Sequence, residues 1–370
     1  MIRILFIFVI FFIAFTSGFS QFQYYSLDVP TDARSIALGE SFVAVKHPIS
    51  SLMYNPASLS PDAGLSIAYS ARRANFYEQV NDLTYYNISA SYSTSVGEFG
   101  FLYNQYYQGE WTITTPSYPD GIGKAKVYDH FFLGKYSRAF GKHITAGVAL
   151  KIFNTVLRQT SGPPNTITQE TSSLPFLLDA GCMYSTSLLF SPDVINDSLT
   201  LGIAFQNFGT DFRQLSGTTP QEKFIKLPRY LRLGFSYDLT VPTLSENSLI
   251  PLRVFLTGEY RNLLNSYSES EKDYWGFGSE VTLFELLSLR LGGFIKPNNS
   301  AYGYKGVPNL QYGIGMLLPL KYIGIHTFLR FRLDYAGIPL KPSPYDYFYL
   351  SNSTTVLHTV SIGIEYPQLF

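Results

Sequence analysis

The sequence predicts an all-β chain: a closed antiparallel transmembrane β-barrel of about 14 strands, with an N-terminal plug or hatch segment ahead of it. Three observations predict it. From about Leu65 to Phe370 the chain is a series of strand-length segments in which apolar and polar residues alternate, the period-two signature of a half-buried strand. Many of these segments reach the ~9–11 residues that span an outer membrane, against a mode of ~5–6 in globular sheets. The composition is also unlike that of a soluble domain: aromatic residues make up 16% and charged residues 15%, where about 25% charged is typical. After the N-terminus no stretch approaches the ~18–20 continuous apolar residues of a spanning helix.

Residues 1–20 read as a secretory signal peptide, with Arg3, the apolar run Ile4–Phe15, and the small residues Gly18 and Ser20 ahead of Gln21. No cysteine lies near that cut, so a lipoprotein is not expected. Residues 21–62 form the plug or hatch. Gln21–Pro30 is an aromatic leader with no assigned place. Asp32–Leu59 is the only long segment beyond the N-terminus that does not alternate. Asp32 is placed to cap a short helix from Ala33, which Gly39 ends. Ser41–Val45 suits a strand or a buried turn, and Pro48 and Asn55-Pro56 break the backbone twice. Asp32, Arg34 and Asn55 are expected to hydrogen-bond to the barrel wall, with Pro56 and Ala57 completing the motif.

Residues 63–370 form the barrel. Strands are expected near 65–72, 83–95, 97–107, 127–138, 144–157, 173–186, 198–209, 229–240, 251–261, 273–284, 286–296, 309–318, 324–336 and 354–367, an even number, as closure of a bacterial barrel requires. Alternation is clear where Tyr86, Ile88, Ala90 and Tyr92 oppose Asn87, Ser89, Ser91 and Ser93, and where His358, Val360, Ile362, Ile364 and Tyr366 oppose Thr359, Ser361, Gly363 and Glu365. A soluble sandwich alternates too. The polar faces, however, hold charges of both signs in mid-strand: Lys151, Asp179, Arg232, Arg253, Glu259, Glu280, Arg290, Arg330, Arg332 and Asp334. A barrel aims these into a polar lumen and gives lipid the apolar face. Opposite signs should pair there, because a lone buried charge is costly; Arg290 with Glu280, and Arg232 or Arg253 with Glu259, are the expected pairs. Tyrosines and phenylalanines cluster near strand ends (Tyr103, Tyr106, Tyr107; Tyr345, Tyr347, Phe348, Tyr349), as interfacial girdles require. The closing residue Phe370 is in phase with Tyr366, resembling the C-terminal aromatic signal read by the barrel-assembly machinery. Long connections at 109–126, 158–172, 210–227, 262–273 and 336–353 contrast with short turns such as Gly141-Lys142, the asymmetry of extracellular loops and periplasmic turns.

A net charge of zero removes the electrostatic footprint of a nucleic-acid binder. The one cysteine, Cys182, permits no internal disulfide and no thiolate metal site. His47, His130, His143, His326 and His358 lack metal-ligand spacing, and no phosphate loop, zincin motif or nucleophile elbow occurs. Gly313 and Gly315 read as incidental glycines inside a strand. No cofactor and no catalytic site are expected; a barrel hydrolase with an outward Ser/His pair stays open as an alternative.

Several runs in this order resemble the PorV/PorQ-like outer-membrane proteins of type IX secretion systems, which are related in architecture to the FadL long-chain fatty acid transporters. They are DARSIALGESFVA at Asp32–Ala44, Tyr54-Asn55-Pro56-Ala57, LGIAFQNFG at Leu201–Gly209, LPRYLRLGFSYDL at Leu227–Leu239, LSLRLGGF at Leu287–Phe294, Asp334-Tyr335-Ala336 and HTVSIGIEY at His358–Tyr366. Glu40 and Ser58 stand where that family has glycine. The resemblance implies a non-enzymatic outer-membrane barrel whose extracellular loops bind partners of type IX secretion: the translocon, cargo C-terminal domains, a surface sortase or a surface-attachment complex. The alternative it implies is a FadL-like channel for uptake of hydrophobic compounds, with a hydrophobic ligand in the barrel.

Overall fold

The computed structural model of the chain describes residues 27, 30, 32–47, 49–59, 64–73, 84–161, 166–171, 173–188, 195–214, 223–225, 227–241, 250–265, 273–295, 309–325, 327–339 and 356–367. The expected signal peptide at residues 1–20, Phe370 and the aromatic cluster from Tyr345 to Tyr349 lie outside them. Among the described residues seventeen strands follow in order: β1 (Leu65–Arg73), β2 (Thr84–Thr94), β3 (Gly97–Thr115), β4 (Tyr118–Phe140), β5 (Ile144–Ser161), β6 (Thr166–Thr171), β7 (Phe176–Thr186), β8 (Asn196–Gly209), β9 (Phe212–Gln214), β10 (Lys223–Ile225), β11 (Tyr230–Val241), β12 (Leu252–Leu263), β13 (Asp273–Leu283), β14 (Leu287–Ile295), β15 (Asn309–Pro319), β16 (Arg330–Pro339) and β17 (Val356–Tyr366).

Fourteen of these close an antiparallel barrel. Each strand pairs with the next in sequence, β6, β9 and β10 standing outside the ring, and β1 pairs with β17 along its whole length, from Leu65↔Tyr366 to Arg73↔His358. Closure leaves the ring no open edge. Among the described residues no helix is long and apolar enough to cross a membrane. The apolar face points outward on every side: Ile67 is 48% exposed, Phe101 46%, Leu291 55% and Ile364 50%, while Ser66, Ser89, Glu280 and Ser361 on the opposite face are buried. A water-soluble monomer does not expose an apolar surface of this extent; a barrel wall in hydrocarbon must.

Three expectations need correcting. The stretch 109–126 is two strands joined by a turn, and 158–161 and 166–171 are strand, where loop was expected. β3 and β4 run on to a tight turn at Pro116-Ser117, and β6 pairs with the far end of β5. Alternating threonines and the cross-strand contacts of Glu110 with Lys124 and Lys126 favour extended pairing there. The strand expected at 324–336 begins only at Arg330, because Leu320–Ile323 forms a 3-10 turn ended by Gly324 at φ 83°. Turn lengths are also less uneven than expected. The short-turn end has tight connections at 95–96, 141–143 and 284–286, but three longer ones join β7 to β8, β11 to β12 and β15 to β16.

Candidate functional site

Residues 32–59 lie within the barrel, since they touch inward side chains of strands around most of its circumference and are almost wholly buried. The local fold follows from the sequence. Asp32 caps helix α1 (Ala33–Ala37) by accepting from Ser35 N at 3.1 Å, and the helix dies at Gly39 and Glu40, at φ 65° and 59°. Glu40, at one of the two departures from the PorV/PorQ-like pattern, thus occupies a left-handed position that favours glycine. Ser58, at the other, supplies a hydroxyl that donates to Val45 O at 3.1 Å.

Two wall carboxylates hold this segment. Glu280 on β13 receives Arg34 as a two-pronged pair, Nε at 2.9 Å and Nη2 at 2.8 Å, and also Arg290 of β14. Glu259 on β12 accepts the backbone N–H groups of Phe42 and Val43, both at 2.8 Å, and pairs with Arg232 of β11. From Arg34 the charges alternate in one ladder: Glu280, Arg290, Asp334 (2.6 Å), Arg332 (4.0 Å) and Glu365 (2.7 Å). Alternation lets each buried charge see an opposite one on either side, which is what makes so many tolerable. Arg232 is also stacked over Tyr54 at 5.1 Å and Arg34 over Phe42 and Phe255 at 5.7 Å.

The expected site residues distribute as follows. Arg34, Glu259, Glu280, Arg232, Arg290, Arg332 and Asp334 meet in these networks. Arg253 does not pair with Glu259: β12 places it opposite Thr240, so its guanidinium reaches Asp238 instead. Arg330 is half-buried at the first position of β16, opposite Pro319 and Glu365. Asp32 is turned to its own helix rather than to the wall; the wall bond nearby is Ala33 N to Ser361 Oγ at 2.8 Å. Asn55 donates to Val43 O at 2.7 Å and to the wall carbonyls Ile203 O (3.2 Å) and Cys182 O (3.5 Å), while its Oδ1 accepts from Ala57 N. Ala57 is fully buried, and the backbone of Pro56 lies against Gly147 of β5. Tyr366 ends β17 on the outer face.

Sequence reasoning missed the wall donors Gln206, Ser236, Thr257 and Tyr274, which bond the segment's carbonyls at 2.6–3.1 Å. It also missed a row of inward glycines. A Cβ on Gly181 would lie 1.9 Å from Asn55 Oδ1, on Gly202 2.3 Å from Val43 O, on Gly278 2.5 Å from Leu38 O and on Gly292 2.4 Å from Gly39 N. Gly313, read as incidental, faces Ala37 in the same way. Glycine inside a strand marks close approach of another backbone, so the signal was available in the sequence.

Apolar contacts fill the other side. Leu38, Phe42, Leu52 and Met53 pack against Leu102 of β3, Phe131 and Leu133 of β4, Phe153 of β5, Leu177 of β7 and Phe255 of β12. Outside the segment, the ring nitrogens of His130 and His358 contact the hydroxyls of Tyr103 and Tyr335, and His143 contacts Ser185 O; no outward serine hydroxyl stands against them among the described residues.

The fold is a closed β-barrel whose architecture is similar to that of FadL-like channels. The TodX monoaromatic hydrocarbon channel lacking S2 and S3 matches with a TM-score of 0.51 at 11% identity, over 92% of this chain and 99% of that one. A FadL homologue of Pseudomonas aeruginosa matches with a TM-score of 0.43 at 12% identity, over 91% and 98%. LpxR of Salmonella typhimurium also matches, with a TM-score of 0.38 at 9% identity, over 81% and 99%. No protein-family model matches the chain, and no curated protein does.

Proposed function

We propose that the protein is a non-enzymatic outer-membrane channel for small hydrophobic compounds, with residues 32–59 as its plug. The observation that carries this reading is the apolar inner wall made by Leu102, Phe131, Leu133, Phe153 and Leu177, which packs against the plug's own Phe42, Leu52 and Met53. Inward leucines and phenylalanines on β3, β4, β5 and β7 serve a hydrocarbon, whereas a water-filled pore lines its wall with polar groups. The shared plan with a hydrocarbon channel supports the reading. The test is uptake of radiolabelled toluene and long-chain fatty acid by a Gram-negative host lacking its own hydrophobic-compound channels. Expression of this chain should raise accumulation several-fold; accumulation equal to the empty vector would overturn the proposal.

A second reading follows the type IX resemblance: a barrel that holds a secreted or surface-attached protein. It is favoured by the sheet of β3, β4, β5 and β6, which runs past the barrel rim. Co-purification of a secretion translocon or surface sortase from native membranes, without effect on toluene uptake, would select it.

A further inference from the structure

Most of the glycines and wall donors that seat residues 32–59 lie from β4 round to β15, with Ser361 of β17 and Gly100 of β3 as the contacts beyond that arc. The opposite side, β17, β1, β2 and β3, is built differently. Its inward positions form rungs, read from the short-turn end: Glu365–Ser66–Ser91–Gly100, then Gly363–Ala68–Ser89–Leu102, then Ser361–Ser70–Asn87–Asn104, then Thr359–Arg72–Tyr85–Tyr106. Small and polar residues dominate the first three. Ser66 to Arg72 is six residues, about 20 Å at the strand rise of about 3.4 Å per residue, so the rungs run through most of the wall's height.

Buried polar atoms without a protein partner concentrate on these rungs: Ser66 Oγ and Ser91 Oγ on the first, both side-chain atoms of Asn104 on the third, Arg72 Nε and Thr359 Oγ1 on the fourth. Gln311 of β15 adds two more, and others sit on Tyr54, Thr145 and His47. Ser66, Ser91, Asn104 and Thr359 are each at least 98% buried. His47 faces the same side. Its Nδ1 accepts from the N–H groups of Ile49 (3.3 Å) and Ser50 (3.1 Å), so Nε2 carries the hydrogen, and Nε2 has no partner. A cavity of about 20 Å³ opens there between Asp32, His47 and Ser50 on one side and Ser66, Arg332 and Ser361 on the other, enough for about one water-sized molecule.

Native proteins leave few buried polar atoms unpaired, and here the largest group of them lies on the first, third and fourth rungs of this wall. We infer that the face between residues 32–59 and strands β17–β1–β2–β3 is a narrow polar track for water and small neutral hydrogen-bonding solutes, bounded on β3 by Leu102, where the apolar side on β3–β7 begins. Donors (Asn104 Nδ2, Arg72 Nε, His47 Nε2) and acceptors (Asn104 Oδ1) both face the track, and the serine and threonine hydroxyls serve as either, matching solutes that both give and accept hydrogen bonds. The track goes beyond the proposed uptake of hydrophobic compounds and does not depend on it.

Thiol accessibility tests it. Cys182 is the only cysteine, so in the full chain with Cys182→Ser, single cysteines are placed at two heights of the track (S66C and S91C on the first rung, T359C on the fourth) and at two positions that bond the segment on the seated side (S236C, T257C). All are near-isosteric, and folding is checked by heat-modifiable gel migration. In proteoliposomes, iodoacetamide should label the three track positions at least about tenfold faster than the seated pair, whose thiols wait on local opening. Equal rates on both sides would overturn the inference. So would labelling at Thr359→Cys alone, because the line would then be a blind pocket rather than a track. Neither result bears on toluene accumulation, so the uptake reading stands or falls separately.

Discussion

Gly202→Ala puts the seating of the N-terminal segment to its sharpest test. Gly202 is inward on β8, and a Cβ there would lie 2.3 Å from Val43 O, 2.8 Å from Val43 C and 2.9 Å from Ala44 Cα. Those are backbone atoms, so no side-chain rotation relieves the clash. Contact requires about 3.5 Å, so the segment must back away by about 1 Å. The same short stretch makes three bonds that such a shift stretches past hydrogen-bonding range. Val43 O accepts from Asn55 Nδ2 at 2.7 Å, and Phe42 N and Val43 N donate to Glu259 at 2.8 Å. Bonds to an ionised group contribute about 1.5–3 kcal/mol each and a neutral one about 1 kcal/mol. With partial relaxation, Gly202→Ala should cost about 2–4 kcal/mol. Gly134→Ala is the matched control: it lies on the outer face of β4 with nothing within 4 Å of the new methyl, and should be neutral or stabilising by up to about 1 kcal/mol. Urea unfolding of the refolded barrel, followed by tryptophan fluorescence, measures both. If the two variants unfold within about 0.5 kcal/mol of each other, the segment is not seated against β8 and the reasoning fails.

Two further outcomes follow from the charges. Glu280→Gln keeps the shape but leaves buried Arg34 without its carboxylate, and should cost about 3–5 kcal/mol. Arg253→Gln removes a pair whose guanidinium is 40% exposed and should cost about 0–1 kcal/mol in the same urea titration. The third concerns pH. Burial holds His47 well below its ordinary pKa of 6.5, with the positive charges of Arg332 and Arg34 adding to the effect. The unfolded chain therefore protonates first, so stability is whole above pH 6.5 and falls below it, by up to about 1.4 kcal/mol per unit. Asp32, which burial raises above 3.8, works the other way: the folded state takes its proton before the unfolded one and regains stability as pH falls toward 3.8. Urea midpoints at about pH 7.5 and about pH 5.5 should therefore differ for the parent chain and coincide for His47→Asn; an equal drop in both would place the titration elsewhere.

The period-two pattern made the barrel legible from residues alone. A strand between lipid and lumen must change character at every residue, and Ile88, Tyr92, Ile362 and Ile364 against Ser89, Ser91, Ser361 and Gly363 record that directly. The helix cap at Asp32 and the stop at Gly39 were equally local. What misled the reading was strand extent. Polar, threonine-rich residues at 109–126 look like loop when judged singly, and pair as strand because β3, β4 and β5 continue beside one another.

The residue order thus settles which side of each strand meets lipid, since that depends only on each residue's own chemistry and its parity. Pairing inside the barrel depends on register between strands far apart in the chain. Arg253 finds Asp238 because β11 and β12 align Thr240 with Arg253, and Glu280 serves Arg34 across 246 positions of sequence. The inward glycines gain their meaning in the same way, for a missing Cβ matters only once another backbone comes to rest in its place.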